Sequence, residues 1–374
     1  MSNLSGLFRC ARFTAHILCA SLALPETAQA QNKPFSPPSQ IIEDEADGIG
    51  FRAGSLVLAP IPFESPSLGS GLALGGAYLF KNDRLSDASS IGFGAFKSSN
   101  DSQGFGLGLN LSWDEDDWAT KILLADADLN YDLFVGEAAI PVSQSLRGGS
   151  LEISHSVREN ISVGSSLAYG EYRLNLTQNG VLPPVFAADS SLNIARLSAF
   201  AEFDTRDDTF YPTTGALLIG TLTRGNYVDN DRSGYSKAVL SASAYLPVFS
   251  QSVLAAHAVA CQASDDAPFF DACSLGVTDN FRGYVATEFL NQSLISFQGE
   301  VRGRLYKRLG YVAFVGAGSV GGDLGAAFKG DFKAAAGLGI RIRLSKSFPL
   351  DYAIDMARNE RGDELLYISV GQRF

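Results

Sequence analysis

Across its 374 residues the chain carries 29 Lys and Arg against 40 Asp and Glu, a formal net charge of −11. That balance excludes a nucleic-acid partner, which would need basic patches. The 38 Gly, 25 Phe and 13 Tyr, with only 2 Met, suit the strands and aromatic girdles of a membrane β-barrel.

Residues 1–30 read as an export signal. Arg9 and Arg12 give a positive start, Phe13 to Leu24 is a short apolar run, and Ala28-Gln29-Ala30 is a small-x-small cleavage site. Leu18 stands before Cys19, where a lipoprotein signal needs a small residue. Residues 31–50 are rich in Pro, Ser and acids and read as a periplasmic linker. No later stretch is apolar for long enough to form a transmembrane helix.

From Phe51 to Phe374 the hydrophobic period is two, the period of strands. Phe105, Leu107, Leu109, Leu111 and Trp113 alternate with Gly106, Gly108, Asn110 and Ser112. Ala125, Ala127, Leu129, Tyr131 and Leu133 alternate with Asp126, Asp128, Asn130 and Asp132. A soluble sandwich also alternates. These segments, however, reach the ~9–11 residues of a membrane strand, beyond the usual ~5–6 of a soluble one. Charges also fall mid-segment, as in Glu300-Val301-Arg302-Gly303-Arg304, where they would face a wet lumen.

The chain therefore reads as an all-β, transmembrane antiparallel barrel. About sixteen segments begin near Phe51, Gly69, Ser90, Gly104, Lys121, Gly149, Ile161, Ser191, Gly215, Tyr235, Ser252, Leu294, Tyr311, Phe332, Leu350 and Glu364. Twelve or fourteen strands also fit the pattern. Short periplasmic turns are expected at 247–251, 307–310 and 345–349, and longer outer loops at 225–234, 261–292, 321–331 and 358–363. The first strand, Phe51 to Pro60, is weak, because Pro60 and Pro62 cannot donate to a ladder. In the last strand, Leu366, Ile368, Val370 and Phe374 are assigned to the lipid face. Tyr367, Ser369, Gly371 and Arg373 are assigned to the lumen.

Cys10 and Cys19 leave with the signal. Cys261 and Cys273 remain, an isolated pair in an oxidising compartment, which predicts a disulfide. The alternative, a metal site, lacks nearby His ligands. Gly316 to Gly321 matches a dinucleotide-binding pattern, but it follows a strand with no helix predicted after it, so these are strand glycines. Asp229 to Gly234 resembles the start of a calcium loop, yet position twelve is Leu240, not Glu. Asp114 to Asp117 reads as a solvated or lipopolysaccharide-facing loop. Beyond the signal only His155 and His257 remain. Ser154 and Ser156 flank His155 on the opposite strand face. No nucleophile, cofactor or metal site is predicted, and the chain reads as a non-enzyme.

Several motifs, taken in order, resemble the BamA/TamA family of outer-membrane assembly factors. Phe203-Asp204-Thr205-Arg206-Asp207, then Tyr211-Pro212-Thr213-Thr214-Gly215, resembles its periplasmic turn. Pro268-Phe269-Phe270 and Phe281-Arg282-Gly283-Tyr284 resemble the entry and tip of its long outer loop. Tyr367 and Phe374, in a closing strand that ends on Phe, resemble the C-terminal assembly signal of outer-membrane barrels. The similarity is close over 192–374 and looser before. It implies that the loop folds into the lumen and that Arg282, with Gly283 and Tyr284 beside it, pairs with Glu300. The family's second acid falls at Gly316, leaving Asp351 and Asp355 as substitutes. The turn residues carried over are Asp204, Arg206, Asp207 and Gly215.

The resemblance implies a bacterial outer-membrane protein that assists insertion or translocation of proteins. Expected partners are outer-membrane lipid, lipopolysaccharide, and a client polypeptide or a periplasmic-domain protein. Only about twenty residues stand before the barrel, as in barrel-only members. The alternative is a passive or structural pore.

Overall fold

The computed structural model describes residues 55–80, 86, 89–136, 138–176, 191–229, 232–249, 251–343 and 351–374. The predicted signal, linker, start of the first strand at Phe51 and turn at 345–349 lie outside the described residues.

Sixteen antiparallel strands close into one barrel. They are β1 (Ser55–Ser65), β2 (Gly69–Phe80), β3 (Ser89–Ser98), β4 (Gln103–Trp113), β5 (Trp118–Val135), β6 (Ala138–Arg158), β7 (Ile161–Leu176), β8 (Ser191–Asp204), β9 (Gly215–Tyr227), β10 (Tyr235–Phe249), β11 (Ser252–Ala263), β12 (Ser293–Tyr306), β13 (Leu309–Gly321), β14 (Lys333–Arg343), β15 (Asp351–Asn359) and β16 (Glu364–Val370). Every strand pairs with its chain neighbour, and β16 returns to β1. Closure satisfies the backbone groups that an open sheet would expose to lipid. Twelve and fourteen strands are thereby excluded.

The period of two divides the wall. Leu107, Leu222, Leu240, Val315 and Leu338 are exposed on the outside, where lipid covers them. Arg196, Lys237, Glu300, Arg302, Arg341 and Asp355 are buried on the inside.

Three expectations need correction. Asp126, Asp128 and Asp132 face outward, not into the lumen. Phe105 on the lipid face pairs directly with Asp126, while Ala127, Leu129 and Leu133 are buried inside. The reason is height: β5 and β6 run to 18 and 21 residues, well beyond the ~9–11 a bilayer needs. Their outer ends stand in water, where Asp126 pairs with Arg147 and Asp128 accepts from Ser145.

The turn at Asp114 to Asp117 joins β4 to β5 and lies on the same side as the 205–214 turn, the periplasmic side. Of its two readings the solvated one fits, with Asp114, Glu115 and Asp117 exposed. A six-residue helix, α1 (Leu324–Lys329), does follow the glycines of β13. Phe374 does not share the lipid face of β16. Regular pairing of β16 stops at Val370, and Gly371 adopts φ +96°. That reversal turns the tail inward, so Phe374 packs against Tyr245, Val253 and Ala255 inside the barrel.

The seam is sparse. β1 and β16 share one register pair, Glu64 with Ile368. By contrast β1 and β2 pair continuously from Ser55 with Leu79 to Ser65 with Gly69.

Candidate functional site

The loop between β11 and β12, residues 264–292, folds into the lumen. At its base Cys261 and Cys273 form a disulfide. Cys273–Ser274 then pairs with Leu290–Asn291 in a two-stranded ladder, which narrows the loop to a finger. A hydrophobic cluster beneath it joins Leu275, Phe281 and Tyr284 of the loop to Val239, Val259 and Leu294 of the wall.

The finger's tip carries a guanidinium. Arg282 donates through Nη2 to Glu300 Oε2 on β12 and through Nη1 to Asp355 Oδ2 on β15, both at 2.7 Å. Its guanidinium lies 3.5 Å from the Phe314 ring centroid. All three charged groups are buried. Arg302 shares Glu300 at 3.1 Å, and Arg341 shares Asp355. Five charges thus alternate in a row: Arg302, Glu300, Arg282, Asp355, Arg341. Alternation lets each buried charge meet opposite ones, which burial requires. Asp351 serves a separate pair of arginines, Arg304 and Arg343.

The neighbours of Arg282 fix its approach. Gly283 has φ +123°, and a Cβ there would lie 2.3 Å from Ala335 Cβ. Its N–H donates to the Tyr367 hydroxyl at 2.9 Å, and its carbonyl accepts from Asn359 at 3.0 Å. Tyr367 donates in turn to the Tyr284 carbonyl. The Tyr284 hydroxyl donates to the Ala334 carbonyl at 3.1 Å. Gly316 and Gly318 leave the space that Phe281 and Leu275 fill, since a Cβ at either would meet those side chains at 2.7 and 2.4 Å. The pattern Gly316 to Gly321 therefore serves loop packing.

A second attachment holds the loop's first half, and it is not evident in the sequence. Arg196 on β8 reaches Asp271 at 2.7 Å. Arg196 also donates to the hydroxyls of Tyr235 and Tyr172, at 2.9 and 2.7 Å. Tyr235 donates to the same carboxylate, and Phe270 stacks on Tyr172 at 4.5 Å. The available signal was Arg196 itself, an arginine at an inward position between Ile194 and Ser198, which needs a carboxylate from elsewhere. At the outer rim, Glu288 pairs with Arg361, and Thr287 donates to the Asp132 carbonyl. The finger thus spans the lumen from β5 to β15.

The periplasmic mouth is filled by the turn 205–214. Arg206 forks onto Asp204 at 2.9 and 2.7 Å. Asp207 accepts from the N–H groups of Thr213 and Thr214, at 2.8 and 3.0 Å. Partial burial opposes its ionisation, but a bond from the Thr213 hydroxyl, together with these N–H bonds, outweighs that and holds its carboxyl below the usual range. Gly215, at φ +94°, passes so close that a Cβ would lie 2.1 Å from the Thr205 carbonyl oxygen. Three guanidiniums, of Arg302, Arg304 and Arg343, surround the Tyr211 ring at 5.0–5.5 Å. Of the two histidines among the described residues, His155 stacks on Trp118 outside the barrel, and His257 shares a hydrogen bond with Ser243 inside, beneath the Phe374 ring. Among the described residues no group of His, Cys, Asp or Glu could hold a metal.

A closed sixteen-stranded antiparallel barrel with an outer loop folded into its lumen defines the class: an outer-membrane β-barrel. The chain belongs to the Omp85 superfamily, whose domain model matches residues 84–374. Its fold is similar to that of BamA from Haemophilus ducreyi lacking POTRA domains 1–3, at 15% identity over 85% of this chain and 70% of that one, TM-score 0.59. It is equally similar to CdiB from Escherichia coli, at 15% identity over 93% and 74%, TM-score 0.59. CdiB from Acinetobacter baumannii matches at 14% identity and TM-score 0.56, with this chain spanning 59% of its length. A comparison with curated proteins finds no match. The protein resides in the bacterial outer membrane.

Proposed function

We propose that the barrel assists insertion or translocation of polypeptides at the outer membrane, using the β1–β16 seam. The observation that carries this reading is the single register pair at that seam, Glu64 with Ile368. A poorly paired edge can accept a client strand by augmentation. In this reading Arg282, Gly283, Tyr284 and Glu300 form the lock that keeps the finger in the lumen. Asp204, Arg206, Asp207 and Gly215 shape the turn beneath it. Outer-membrane lipid and lipopolysaccharide surround the barrel, and the working partner is a client polypeptide or a periplasmic-domain protein.

The test is a cysteine pair replacing Glu64 and Ile368, which would weld the seam. Reconstituted in liposomes, the welded barrel should lose its effect on folding of a model outer-membrane client and regain it on reduction. Unchanged activity in the welded form would sink the seam mechanism. A passive pore makes the opposite prediction: large steady conductance steps from the wild-type protein in planar bilayers, insensitive to the weld.

A further inference from the structure

The helix after β13, α1, lies on the outer wall and not in the lumen. Outward positions of β13 lose exposure toward its outer end: Val315 is 61% exposed, Ala317 is half-buried and Ser319 is buried. On β12 the same change runs from Phe297, 49% exposed, to Ser293, which is buried. What covers them is α1. Gly321, in register with Ser293, passes so close beneath the helix that a Cβ would lie 2.5 Å from Ala327 N. A Cβ on Gly330, just beyond the helix, would meet Ser319 Oγ at 2.5 Å. Ala327 is wholly buried, and Asp323 caps the first turn by accepting from Ala326 N at 2.7 Å.

The other face of α1 is apolar. Leu324 and Phe328, four residues apart and so on one stripe, are 40% and 64% exposed. Their height says what meets them. Ser319 stands ten residues along β13 from Leu309, at its periplasmic start. At about 3.3 Å per residue and about 40° of tilt, that is a rise of about 25 Å, the height of the apolar band. α1 therefore lies at the outer edge of the hydrocarbon, and its apolar pair continues the lipid-facing surface of Val315 and Phe297. A helix at that boundary buries its apolar face among acyl chains.

Beneath α1 are the stems of the finger. The helix reaches across β13 to the outer ends of β12 and β11. There Ser293 Oγ donates to Gln262 Oε1, its outward partner on β11. One step on, Ala263 N–H donates to the Gln292 carbonyl, and one step back, Cys261 begins the disulfide. Without the helix over them, Gln262, Ser293 and Ser319 would face hydrocarbon at a cost. We propose that α1 is a lipid-engaged brace: acyl chains of the outer leaflet contact Leu324 and Phe328 and hold the helix against the outer ends of β11 and β12. The finger's stems are then held from outside the barrel. The proposal concerns contact with lipid and holds whether or not the seam accepts a client.

The test uses the full barrel in phosphatidylcholine vesicles. Phe328→Trp adds a tryptophan to Trp113 and Trp118, which lie at the periplasmic end, and difference spectra against the parent barrel isolate its emission. Phosphatidylcholine brominated in its acyl chains should remove at least about half of that emission, and iodide in the water phase should remove little. Asp128→Trp, on the part of β5 that stands in water, should show the reverse. The brace is read by proteolysis of residues 264–292 in the same vesicles. Leu324→Ser/Phe328→Ser should speed that cleavage at least about fivefold. Leu324→Phe/Phe328→Leu should leave it at the wild-type rate. Quenching of Phe328→Trp by iodide and not by brominated lipid, or equal cleavage of the serine variant and wild type, would overturn the proposal. Each substituted side chain is exposed, so every variant keeps the barrel's own packing.

Discussion

Arg196 and Asp271 meet at 2.7 Å with the polarity of the finger's tip reversed. At the tip the loop supplies the cation, Arg282, and the wall supplies Glu300. Here the wall supplies the cation and the loop the carboxylate. The finger is thus anchored at two buried points on different parts of the wall, β8 and β12–β15. Neither anchor can substitute for the other, because exchanging partners would bring like charges together.

Separate anchors predict separate release. Arg196→Gln leaves Asp271 buried without its cation, a loss of roughly 3–5 kcal/mol from docking of that half. Limited proteolysis with mass-spectrometric mapping should show residues 264–272 cleaved first in this variant. In Arg282→Gln, residues 276–290 should be cleaved first. Identical maps would mean that the loop releases as one unit.

Gly283→Ala should undock the tip. The substitution places a β-carbon in a backbone region that costs about 1–3 kcal/mol and drives it into Ala335. The temperature at which the folded band converts on a gel should fall by several degrees. Adding Ala335→Gly should restore part of the loss, since it removes the clash and leaves the backbone cost. An unchanged conversion temperature would refute the close fit.

The Cys261–Cys273 bond joins residues twelve apart in sequence, a constraint worth about 3 kcal/mol on the chain-entropy account. The Cys261→Ser/Cys273→Ser variant should convert at a lower temperature than the oxidised protein. Reductant should bring the wild type down to the variant and leave the variant where it is. A reductant effect of equal size on both would assign the loss to something other than this bond.

Burial pushes the Asp279 carboxyl up to about 6, against the N–H bonds it accepts from Gly276 and Phe281 at 2.7 and 3.2 Å. A carboxyl raised in the folded state binds its proton more tightly there than in the unfolded chain. Between the ordinary carboxylate value and about 6, stability therefore falls as pH rises. Asp279→Asn keeps the accepting oxygen and removes the charge. It should be more stable than wild type at pH 7 by at most about 3 kcal/mol. The gap should close as pH falls through 6 toward 4. A constant gap across that range would remove Asp279 as its source.

The sequence carried the barrel further than the site. Alternation showed which residues share a face, and near Glu300 and Arg302 the charges also showed which face looks inward. On β5 it could not, because a strand that clears the membrane keeps its period while exchanging lipid for water. Asp355 and Asp351 had equal claims by parity. The choice between them depends on where the finger's tip stops against β15, a tertiary distance. Arg196 and Asp271 stand 75 residues apart, and neither lies in a recognisable motif. Phe374 was misassigned because one left-handed glycine, Gly371, breaks the period at its last step.

The barrel's rim is uneven. Against the tall β5–β6 hairpin, with 18 and 21 residues, β16 has seven. At about 3.3 Å per residue and about 40° of tilt, such a strand rises only ~18 Å, short of the ~25 Å apolar band of such barrels. Hydrocarbon beside β16 must come down to meet it, so the bilayer is thinnest where the wall is least well sewn.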